Sequence, residues 1–93
     1  MPPEDTRRSL DDILAVIAEF EQGGMDVSHL QSALEARAAT LDNSTRDVLD
    51  ELRAVDADLE TILFTMSTHE QSAAARLRVC ELQQVVSRTK LSE

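Results

Sequence analysis

Apolar residues recur along the chain at steps of three and four, the period of an α-helix with one face turned to a core. Leu10, Ile13, Leu14, Ile17 and Phe20 form the first such stripe, closed by Gly23-Gly24, the residue type that tolerates the left-handed stop after a helix. Ser9, with Asp12 three residues on, resembles a capping box and places the start of this helix at about residue 9. Asp26 stands where an N-cap belongs, ahead of Val27, Leu30, Leu34, Ala38 and Leu41, which predict a second helix over 27–41. Ser44 with Asp47 repeats the capping spacing, and Val48, Leu52, Val55, Leu59, Ile62 and Met66 alternate steps of four and three as a heptad seam. The third helix is therefore predicted over 45–66. Thr68 with Gln71 reads as a further capping box, and Ala75, Val79, Leu82 and Val86 carry a fourth helix over 69–89. With 2 Gly and 2 Pro the chain has too little punctuation for a strand-and-turn design. Short connections make successive helices antiparallel, so the expected fold is an all-α, small antiparallel four-helix bundle over helices 9–22, 27–41, 45–66 and 69–89.

At 93 residues the chain suits one helical domain, with residues 1–8 expected to fray ahead of the first cap. Trp and Tyr are absent, so the core is expected to be aliphatic, with Phe20 and Phe64 as its rings. The longest apolar run, Ile13 to Ala18, is far short of the ~20 residues of a membrane span, and Met-Pro-Pro-Glu-Asp is no export signal. One cysteine fits a reducing compartment, which gives a cytoplasmic protein as the expectation.

Charge narrows the function classes. Nine basic against 18 acidic residues give −9 at pH 7, a field that repels phosphate backbones and anionic lipid; direct nucleic-acid and membrane binding are disfavoured, and a basic protein is the natural partner. The charge is uneven. Residues 1–26 carry −5, 27–43 carry −1, 44–66 carry −4 and 67–93 carry +1.

Candidate chemistry is thin. His29 and His69 fall on different helices, and His69-Glu70 opens like a zinc-binding H-E-x-x-H pattern but meets Ala73 where the second histidine belongs. Asp11-Asp12 and Asp50-Glu51 are adjacent and diverge by about 100° on a helix, so neither is a convergent dyad. Gly23-Gly24 has no phosphate-binding lysine, and Cys80 lies mid-helix with no neighbouring histidine, which favours a structural thiol over a nucleophile. No cofactor, metal or catalytic residue is expected.

Two surface features remain. Asp47, Asp50, Glu51 and Asp58 share one side of the third helix and form a candidate electrostatic docking face; the alternative is a merely solvated face. On the fourth helix Ala73, Leu77 and Cys80 lie nearly opposite the core set, so that helix carries two apolar faces. Either other helices wrap it, or the second face meets a second chain; monomer and homodimer both stay open. The spacing Ile17-x-x-Phe20-x-x-Gly23, then Leu30, Leu34 and Leu41, then Leu59-Glu60, resembles small acidic helical immunity-type proteins of bacterial toxin–immunity systems, over residues 13–64. That resemblance implies a cytosolic inhibitor that binds its toxin stoichiometrically through acidic residues. The expected function is thus a non-catalytic protein-binding module, an acidic inhibitor (immunity-like or nucleic-acid-mimic) of a basic, nucleic-acid-acting bacterial protein such as a nuclease. The alternative is a homo-oligomeric structural or accessory subunit assembled through the fourth helix.

Overall fold

The computed structural model of the chain describes residues 4–41 and 46–91. Four helices, α1 (Glu4–Glu21), α2 (Val27–Ala38), α3 (Arg46–Thr65) and α4 (Thr68–Leu91), account for its regular structure, and there is no strand among the described residues. α1 packs on α2 and α4, and α3 packs on α2 and α4, so the helices close a ring around one core in a bundle 42 Å long.

The predicted stripes supply that core. Leu10, Ile13, Ile17 and Phe20 from α1 meet Val27, Leu30 and Leu34 from α2, Val48, Leu52, Val55, Leu59 and Ile62 from α3, and Ala75, Val79, Leu82 and Val86 from α4. Each such leucine or phenylalanine contributes about 1.5–3 kcal/mol relative to exposure.

Phe64 departs from expectation: it is 82% exposed, whereas Phe20 is 2% exposed and sits in the core. The heptad explains this, because Phe64 lies two residues beyond Ile62, nearly half a turn round from the seam, on the outer side of α3.

Helix ends depart in smaller ways. α1 begins at Glu4 rather than near Ser9, because Thr6, one turn before Leu10 on the same stripe, is itself buried and extends the packed face. Ser9 is consequently an interior helical residue. At the other end, Gly23 adopts φ 85°, its N–H donates to Phe20 O at 3.0 Å and that of Gly24 to Glu19 O at 2.9 Å, the paired bonds of a Schellman stop. Asp26 caps α2 as expected, its Oδ1 accepting from His29 N at 2.8 Å. α2 stops at Ala38 rather than running to residue 41, since Thr40 and Leu41 donate to Arg37 O and Ala38 O, three residues back, and the turn tightens. The proposed Ser44 cap falls outside the described residues.

The α3–α4 turn uses a cap one residue earlier than predicted. Ser67 O accepts from Glu70 N and Gln71 N, and Ser67 Oγ donates to Glu70 Oε1 at 2.9 Å. Gln71, displaced from that role, turns back: its Nε2 donates to Met66 O at 3.1 Å and Leu63 O at 3.4 Å, satisfying carbonyls at the end of α3.

Candidate protein-docking surface

The four acids predicted to form one docking face divide into two pairs. Asp47 and Asp50, near the start of α3, are exposed. Glu51 and Asp58 instead face α4 and hold Arg78, with Glu51 Oε2 at 2.9 Å from Nη1 and Asp58 Oδ2 at 2.5 Å from Nε; Glu81 completes the group at 3.1 Å. The Glu51 side chain is only 18% exposed. Its hydrogen bond is the main reason that Arg78 binds its proton more tightly than an ordinary arginine; burial acts against this, and Asp58 adds to it. These contacts brace α3 against α4. A second brace joins Lys90 to Asp11 between α4 and α1, and Arg76 Nη2 donates to Glu21 O at 3.2 Å, where the C-terminal carbonyls of α1 favour a cation.

A second acidic group lies on the other side of α3, against α2. Glu35 of α2 and Asp56 of α3 line one cavity, and Asp56 beside it, with the charge of Glu60 added, holds the Glu35 carboxyl above the usual glutamate range. The hydrogen bond and charge of Asp56 are the leading causes. Two carboxylates so placed cannot both ionise freely, and an incoming cation relieves the conflict. Asp56 Oδ1 is buried with no hydrogen-bond partner, while its backbone carbonyl accepts from Gln31 Nε2 at 3.3 Å. Glu35 and Asp56 border a cavity of about 180 Å³ whose apolar floor is Leu34, Ala38 and Leu52 and whose remaining wall is Arg53.

Phe64 stands on the same edge of α3 as Glu60, four residues before it and hence one helical turn away. An exposed ring beside carboxylates offers a basic side chain both a cation–π face and an ion pair. Sequence reasoning alone misses this group. Glu35 reaches it only through the packing of α2 on α3. The signal in the sequence is the spacing of Asp56, Glu60 and Phe64 at steps of four along α3, outside the seam.

On α4 the expected second face is open rather than wrapped: Ala73, Leu77 and Cys80 are all exposed, Leu77 at 77%. Cys80 is therefore not a core thiol, because among the described residues α4 packs on its neighbours through the opposite, inner side. His29 and His69 are exposed on separate helices. Among the described residues no three His, Cys, Asp or Glu side chains converge as a metal site, the Glu35 group included, and no helix is long and apolar enough to cross a membrane. Comparison of the chain with protein-family models, with curated proteins and with solved structures finds no match.

Proposed function

We propose that the chain is a non-catalytic protein-binding module, an acidic inhibitor-type protein whose partner is a basic protein, with a nucleic-acid-acting enzyme as the fitting class. The observation that carries this reading is the exposed Phe64 one helical turn along α3 from Glu60, whose charge adds to the Glu35–Asp56 pair. Acids of a folded chain are normally spread or paired, whereas Glu35 and Asp56 face each other across α2 and α3 at the cost of a perturbed carboxyl, and Glu60 adds its charge. A cationic groove built to hold phosphates would find the same charge pattern on this face, with the ring as an apolar anchor at its margin. Asp47 and Asp50 extend the negative field along α3, while Glu51 and Asp58 serve chiefly to position α4. A cytoplasmic setting and an immunity-type role are consistent with this reading and belong to the same proposal.

Affinity capture on the immobilised chain tests it, run in parallel with Phe64→Ala and with Glu35→Gln/Glu60→Gln. Support is a basic protein retained by the wild type, released as salt rises to roughly 0.5 M, and lost from both variants. Retention indifferent to salt and to all three substitutions, or no basic protein retained, overturns it.

A further inference from the structure

The helix α4 carries two seams of opposite direction. Ala75, Val79, Leu82 and Val86 line the core, while Ala73, Leu77, Cys80, Gln84, Ser87 and Leu91 repeat at steps of four and three along the outside. The outer seam runs for about 27 Å at the helical rise of 1.5 Å per residue. It contains no charged residue although 29% of the chain is charged, and all of it is exposed except the half-buried Ser87.

We propose that this outer seam pairs with its equivalent in a second copy of the chain, as a parallel, in-register two-stranded coiled coil. The occupant follows from charge. The segment 67–93 has net charge +1 within a chain of −9, so a basic partner is drawn elsewhere, and α4 is where two copies meet without setting acidic helices against each other. The orientation follows from the flanking residues. In heptad terms Leu77, Gln84 and Leu91 are a positions and Ala73, Cys80 and Ser87 are d positions, which makes Arg76 a g residue and Glu81 an e residue. Parallel pairing brings Arg76 beside Glu81 of the second copy, twice by symmetry, and Gln83 beside Arg88, with no like charges opposed. Antiparallel pairing over the whole seam sets Glu81 against Glu81 and Arg76 against Lys90. Leu77 and Leu91 then pair with themselves, and the Gln84–Gln84 contact fixes the register as a single polar a position does. This surface lies on α4, apart from the Phe64 face, so both can be occupied together.

Sedimentation velocity over a concentration series, with diamide cross-linking, tests the proposal. The wild type is expected to shift from monomer to dimer as concentration rises, and high salt leaves or strengthens the dimer by screening the repulsion between net charges, the opposite of its effect on a basic partner. Leu77→Glu should abolish the dimer and keep the helical circular dichroism, because Leu77 is not in the core. In the parallel register Cys80 faces Cys80, so diamide should accept two electrons and two protons from the two thiols and link the copies in good yield. Cys80→Ser with Gln84→Cys should link equally well, and Cys80→Ser with Ser72→Cys should not. A chain monomeric at every concentration, or a dimer whose Cys80 thiols fail to link while dimerisation persists, overturns the proposal.

Discussion

Arg78 on α4 and Glu51 on α3 are joined at 2.9 Å where both side chains are largely shielded from water. Removing the guanidinium strands a carboxylate that has no other cation bonded to it among the described residues. Arg78→Met should therefore destabilise the fold by about 1–2 kcal/mol, more than an exposed ion pair is worth. Chemical denaturation of Arg78→Met against Glu81→Gln, whose partner Glu51 keeps, gives the comparison; equal midpoints would show the bridge to be incidental.

The two phenylalanines should behave oppositely. Phe20→Ala removes a ring from the packed core and is expected to cost about 3–5 kcal/mol. Phe64→Ala should stay within about 0.5 kcal/mol of the wild type, because its ring contributes little to the core. Thermal unfolding of both variants checks the contrast, and a large loss at Phe64 would return that ring to the structural set.

Glu35 links the acidic group to pH. Its carboxyl is raised above the ordinary 4.5 by Asp56 and Glu60, so the folded chain holds this proton more tightly than the unfolded chain. Its contribution favours the fold below the ordinary value and is lost as pH rises through the raised one. Glu35→Gln should flatten that part of the stability profile and leave the chain at least as stable at neutral pH. Denaturation midpoints across the acid range decide this, and a variant whose profile superimposes on the wild type would remove the carboxylate conflict.

Gly23 supports the end of α1 at φ 85°. Gly23→Ala places a Cβ in the left-handed region at a cost of roughly 1–2 kcal/mol, although nothing lies near enough to clash with it. Gly23→Asn should lose less, since asparagine tolerates that conformation, and equal losses in the two variants would point to a cause other than backbone strain.

Most of the bundle was legible because helix, seam and cap are local properties. The stripes from Leu10, Val27, Val48 and Ala75 supply the core, except that Met66, the last residue of the third seam, is 38% exposed because α3 ends at Thr65; Asp26 and Gly23 punctuate the helices as their chemistry dictates. Phe64 is exposed because helical phase, not the scarcity of rings, decides which side chains of α3 reach the core. The candidate docking face was only half legible for a deeper reason. Charge along α3 can be counted in the sequence, but whether an acid is neutralised depends on what packs beside it. Arg78 is 20 residues from Asp58 and 27 from Glu51, so nothing local tells that it pairs with them, and nothing local brings Glu35 to Asp56.

The Gln71 side chain has a consequence for the order of events in folding. By bonding Leu63 O and Met66 O it ties the first turn of α4 to the last turn of α3 across a connection of two residues. Closing so short a loop loses little entropy, and the helices it joins bury Leu59, Ile62 and Ala75 near the bend. The α3–α4 hairpin is thus the unit able to form first, with α2 and then α1 condensing on it, and a search dominated by near neighbours in sequence places the chain among domains that fold in microseconds to milliseconds. Amide hydrogens around Val55–Leu59 and Val79–Leu82 should then be the slowest to exchange, and those of α1 should be released earlier through partial opening.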